Sequence, residues 1–137
     1  MKNIFLSLFI FIVMSLIHAQ LTEYAVKFLR LPGGDFGMYS MFILIMCLII
    51  TGIGLLTVII FRKSYDSILK IAILFEIIYL FFLIISGNNP FLYFFESKNE
   101  NLLMTMMYII SIIIFLLFCL IHFFYKKIIL SRNKNLS

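Results

Sequence analysis

The sequence predicts an all-α integral membrane protein: an antiparallel bundle of three transmembrane helices, four if a signal-like N-terminal segment is retained, with a short outer amphipathic helix. Three observations predict it. Of 137 residues, 64% are hydrophobic and 12% charged, whereas soluble domains carry about a quarter charged residues. With a mean hydropathy of +1.17, so short a chain cannot hide its apolar surface in a core of its own. Several apolar stretches reach the roughly 20 residues a helix needs to cross a hydrocarbon layer of about 30 Å with its backbone groups satisfied internally. The basic residues stand at the ends of those stretches and segregate to one side. No internal repeat or linker divides the chain, so a single membrane domain is expected.

The first element, residues 1–19, is an apolar run from Asn3 to Ile17 that follows Lys2 and ends in Ile17-His18-Ala19-Gln20. It reads either as a secretory signal peptide cut after Ala19 or as an uncleaved signal anchor that supplies a fourth helix. Either outcome places the next segment on the outer side. In residues 20–37, Leu21, Tyr24, Ala25, Phe28 and Leu29 repeat at helical spacing, with Glu23 and Lys27 as an i,i+4 pair on the opposite face. That pattern predicts a short amphipathic helix in the outer interface, ended by Pro32-Gly33-Gly34.

Three stretches then meet the length test for a membrane span: 38–61, 67–86 and 102–125, within a transmembrane domain of residues 38–125. The turn-like Gly87-Asn88-Asn89-Pro90 and the polar run from Glu96 to Asn101 separate the last two. Connections this short make consecutive spans antiparallel neighbours. Phe91, Tyr93, Phe94 and Phe95 read as an outer interfacial belt of aromatic residues. Residues 126–137 form a basic tail.

Charge bias sets the orientation. Lys2, Arg62, Lys63, Lys70, Lys126, Lys127, Arg132 and Lys134 fall on one side with Asp66 as its only acid, while Lys27, Arg30 and Lys98 face Glu23, Asp35, Glu96 and Glu100 on the other. By the positive-inside rule, Arg62, Lys63, Lys70, Lys126 and Lys127 determine a topology with the C-terminus in the cytoplasm. A signal-like start favours a bacterial inner membrane; an organellar inner membrane is the alternative. The net charge of +5 does not indicate nucleic acid, because the basic residues cap helix ends and never line one polar face. Cys47 and Cys119 lie inside apolar runs, without disulfide or metal spacing. No cofactor or metal ligand set is expected.

Glu76 carries the most information, because it sits midway along 67–86, where an ionisable group costs about 2.5 to 3.5 kcal/mol on insertion scales. On a helical projection Ala72, Glu76, Tyr79 and Ser86 share an arc of about 80°. The carboxyl therefore lies on a polar, small-residue stripe that faces other helices. Matching stripes run along the neighbours: Cys47, Thr51, Gly54 and Thr57 on one, and Thr105, Tyr108, Ser111, Cys119 and His122 on the other. Glu76, Thr51, Tyr79, Thr105, Tyr108 and Ser111 are expected to form an intramembrane polar seam, with Gly54 and Ala72 permitting close helix packing. Thr51 and Glu76 count to nearly equal depth, about 14 Å from the cytoplasmic ends, so Thr51 is the expected partner. Two readings of Glu76 follow. In one it is a protonated donor that pins the helices together; in the other it belongs to a proton or ion path. His122 reads as an interfacial residue near Lys126 and Lys127.

From Gly52 onward, a basic turn at Arg62 and Lys63, a glutamate mid-span in the next helix and a third helix ending in Lys126 and Lys127 loosely resemble the small three-helix proton-channel subunit of respiratory complex I. The resemblance implies proton handling through Glu76; the third span here carries no second intramembrane glutamate. Helix spacing and the basic loop are also similar to the four-span proteins that accompany exosortase sorting systems, and small basic helical membrane proteins include immunity proteins against pore-forming bacteriocins.

No HExxH, GxSxG, GxGxxG or Walker-type sequence occurs, so an enzyme is not expected. The expected role is a non-enzymatic subunit or accessory factor of a larger membrane assembly, in contact with lipid and with other membrane subunits or copies of itself. One polar stripe is then the interaction surface, and Gly54→Leu is expected to disrupt co-purification with the partner.

Overall fold

The computed structural model describes residues 2–134. Four helices in it are long and apolar enough to cross a membrane. The first, α1 (Lys2–Phe28), runs without interruption through Ile17-His18-Ala19-Gln20. The signal-like segment and the expected interfacial helix are therefore one element. Its buried residues, among them Ser7, Phe11, Met14, His18, Thr22 and Ala25, recur at spacings of three and four, the repeat by which one helix face meets its neighbours.

Helix α1 closes with Arg30 at φ 50°. The Arg30 N–H donates to the Lys27 carbonyl at 3.1 Å and the Leu31 N–H to the Val26 carbonyl at 3.3 Å, the Schellman closure in which glycine usually takes the left-handed place. Pro32 then bars any continuation. Helix α3 ends the same way with the usual residue: Gly87 has φ 82°, with bonds from Gly87 N–H to Ile84 and from Asn88 N–H to Leu83.

Helix α2 (Tyr39–Ile60) and helix α3 (Ile68–Ile85) lie within one or two residues of the expected spans. Ser67 caps α3 by accepting from the Lys70 N–H at 3.3 Å. A single turn, α4 (Leu92–Phe95), precedes α5 (Asn99–Lys134), which at 36 residues is the longest element. The boundary expected at Tyr125 is one of composition only, because the helix continues through Lys126 and Lys127.

Side-chain neighbours give the directions of packing. Phe11 sits beside Phe75 and His18 beside Tyr79, so α1 and α3 run the same way. Glu76 meets Ser111, and just past the end of α3 Asn88 meets Tyr108, so α5 runs against α3. One core joins the helices, with Phe11, Met14, Ile50, Phe75, Tyr79, Met107 and Ile114 fully or almost fully buried. Phe5, Phe9, Leu48, Ile77, Ile112 and Leu116 point outward and are exposed. Helices apolar on every face suit a lipid surround.

Candidate functional site

Glu76 is 5% exposed and lies where α1, α3 and α5 meet. Its Oε1 shares a hydrogen bond with His18 Nε2 at 3.0 Å, and its Oε2 accepts from the hydroxyl of Ser111. One carboxyl thus joins three helices. His18 is fully buried, its ring 3.9 Å from that of Tyr79 and 5.8 Å from that of Phe75. Packing of both rings against the imidazole holds Nε2 toward the carboxyl. His18 Nδ1 and the Tyr79 hydroxyl are buried with no hydrogen-bond partner among the described residues.

Thr51 does not reach Glu76. It is buried, but its hydroxyl donates to the Cys47 carbonyl one turn back in its own helix at 2.8 Å. Ser7, Ser15, Thr22 and Thr57 bond back to their own helices in the same way. Thr105 and Tyr108 lie on the expected side of α5 but serve the connecting loop: Thr105 donates to the Pro90 carbonyl at 2.7 Å and Tyr108 to the Asn88 carbonyl at 2.6 Å. Of the expected seam, then, Glu76, Ser111 and the ring of Tyr79 come together, while Thr51, Thr105 and Tyr108 bond elsewhere.

The packing residues have internal partners. Ala72 is fully buried in the core. A Cβ on Gly54 would lie 2.8 and 2.9 Å from ring carbons of Phe11, so the small-residue stripe of α2 receives α1. Gly54 is thus a packing position between two helices of this chain. Arg62 and Lys63 lie in the exposed turn after α2, Lys70 pairs with Asp66 at 2.6 Å, and Lys126 and Lys127 are exposed on α5.

The order of groups limits the chemistry. A serine nucleophile needs the imidazole beside its hydroxyl, with the acid behind the imidazole. Here the carboxylate stands between Ser111 and His18, so the histidine is not placed to take the serine proton. Among the described residues no group of three or more His, Cys, Asp or Glu side chains is placed to hold a metal ion. What the arrangement can do is cross-link helices or move a proton between Glu76 and His18.

In the sequence His18 stands at a cleavage-like site, and nothing at that site marks it as a partner of Glu76. The available signal was its register: His18 falls on the same three-and-four repeat as Phe11, Met14 and Thr22. No protein-family model matches the chain, and neither the curated proteins nor the solved structures contain a match.

Proposed function

We propose that this protein is a non-enzymatic subunit or accessory factor of a larger membrane assembly, folded as an antiparallel bundle of four transmembrane helices with α1 retained. The observation that carries the reading is the contact of Glu76 with both His18 and Ser111, which devotes the one mid-helix acid to joining three helices. Both carboxyl oxygens are engaged inside the molecule, and the remaining helix surface is apolar. Cleavage after Ala19 would remove Phe11, Met14, Ser15 and His18 from the core and leave Glu76 only Ser111. That loss supports retention. Four spans put both termini on one side, in keeping with Lys2 and the C-terminal lysines sharing the cytoplasmic face of a bacterial inner membrane.

The test is purification in mild detergent from the native membrane, with intact mass and co-purifying proteins as readouts. The expected result is a mass that includes residues 1–19 and a stoichiometric membrane partner or a second copy. A chain lacking those residues, or one that runs alone at native abundance, overturns the proposal.

A second reading, a proton-handling subunit, is favoured by one observation: a second titratable group, His18, contacts Glu76 at mid-helix, beside two unpartnered polar atoms. In proteoliposomes Glu76→Gln should then abolish proton flux while assembly persists. Undiminished flux in that variant refutes this reading.

A further inference from the structure

We infer that the end of the molecule formed by the α2–α3 turn and the C-terminal third of α5 is a binding site for anionic phospholipid headgroups. The inference rests on the reading that the four helices cross a bilayer.

Five of the basic residues at that end have no ion-pair partner among the described residues. Asp66 is its only acid, and Lys70 occupies it at 2.6 Å. Arg62, Lys63, Lys126, Lys127 and Arg132 are exposed, and none forms an ion pair among the described residues. The opposite end differs in kind. There Lys27 pairs with Glu23 and Lys98 with Glu96, each at 2.6 Å, with Asp35 and Glu100 nearby in sequence. Acids balance bases at one end only, and at the other these five cations stand ready for an anion from outside the chain.

The shape of α5 indicates what meets it. Glu76 is level with Ser111, so the first residue of α3, eight positions before Glu76, is level with Cys119. From Leu120 to Lys134 the helix continues about 22 Å past the first turn of α3, and no residue in that stretch is buried. Phe123, Phe124, Tyr125, Ile128, Ile129 and Leu130 are exposed there, interleaved with Lys126, Lys127 and Arg132. Lys127, Ser131 and Arg132 line one shallow groove together with Ile128. Aromatic and aliphatic side chains seat in the boundary of the acyl region, and neighbouring cations then stand at the depth of the phosphates. A polyanion in solution satisfies the charges but leaves those apolar groups in water. The phosphate of an anionic lipid satisfies both, accepting from the Arg132 guanidinium, the Lys127 ammonium and the Ser131 hydroxyl.

The full chain, purified in mild detergent, is incubated with dioleoylphosphatidylglycerol or dioleoylphosphatidylcholine, and retained lipids are counted by native mass spectrometry. Each cation near an anionic lipid surface is worth roughly fivefold in partition, so the anionic lipid should be retained at least about fivefold more, with the preference falling as salt rises. The combined variant R62Q, K63Q, K126Q, K127Q and R132Q should retain the two lipids equally, while K27Q, R30Q and K98Q keeps the wild-type preference. Equal retention of both lipids by the wild type, or equal loss of preference in the two variants, overturns the inference. If the fivefold variant loses its helical circular dichroism, the wild-type lipid comparison and its salt dependence decide. Failure of the membrane reading is distinguishable, because the protein would then remain soluble without detergent.

Discussion

Two ionisable pairs in this molecule have similar geometry and opposite surroundings. His18 and Glu76 are 3.0 Å apart with side chains 0% and 6% exposed; Lys70 and Asp66 are 2.6 Å apart with side chains 52% and 62% exposed. The shorter pair is the weaker one. Water and salt screen Asp66 and Lys70, and the long lysine side chain loses freedom when held in place. Glu76 has no such alternative, so removing one member of its pair leaves the other stranded in an apolar interior. Surroundings, more than separation, decide what a polar contact is worth here. The contrast recurs within the interior, where Ser111 donates across helices and Thr51 only to its own.

Glu76→Leu should have the largest effect. It strands the His18 Nε2 in the interior, and we expect a loss of about 2 kcal/mol or more in stability, read from unfolding in mixed detergent micelles. The double variant His18→Leu with Glu76→Leu should recover most of that loss, since replacing both members of a buried pair by apolar groups is often close to neutral. If the double variant is as unstable as the sum of the singles, the two residues are not coupled.

Next comes Gly54→Ala, whose added methyl group meets the Phe11 ring at under 3 Å. Overpacking a buried contact of this kind costs about 1 to 3 kcal/mol, and pairing it with Phe11→Leu should relieve the effect. Ser111→Ala should cost about 1 kcal/mol, in the upper range for interhelical hydrogen bonds measured in membranes. Thr51→Val should cost less than about 0.5 kcal/mol, because its hydroxyl bonds only to a carbonyl in its own helix. Equal losses for Ser111→Ala and Thr51→Val would remove the distinction between crossing and local hydroxyls.

The same distinction explains what was legible in the sequence. Hydropathy and charge placement suffice for the long apolar helices, because the bilayer constraint acts on composition over about 20 residues. Glu76 stands out because an acid at mid-helix has few acceptable surroundings. Its partner does not stand out by counting. Counting depth brings Thr51 level with Glu76, but a helix has a full circle of directions at each depth, and the buried Thr51 hydroxyl bonds to its own helix instead. His18 is obscured for another reason: a signal-like segment directs attention to its cleavage site rather than to its buried face. The stripe on α5 splits for a third, since Thr105 and Tyr108 lie in its first three turns, where loop carbonyls of Asn88 and Pro90 compete for their hydroxyls.

The smallest effect belongs to the exposed pair and depends on pH. The Lys70 ammonium, by its hydrogen bond to the carboxylate, holds the Asp66 pKa below its ordinary value of 3.8, helped by the local backbone and by the Lys70 charge. A depressed carboxyl contributes stability above its unfolded pKa and loses it as pH falls through the lower, folded value. Between neutrality and pH 5 the contribution is therefore constant, and it disappears only below 3.8. Asp66→Asn removes it throughout, so wild type and variant should differ slightly near pH 7 and converge on strong acidification. High salt should shrink the neutral-pH difference further. Thermal melts of both proteins in one detergent, followed by circular dichroism from pH 7 to pH 3, measure this directly. If Asp66→Asn costs as much at pH 7 as Ser111→Ala, exposure does not separate the two regions, and the weight placed on the surroundings of Glu76 is misplaced.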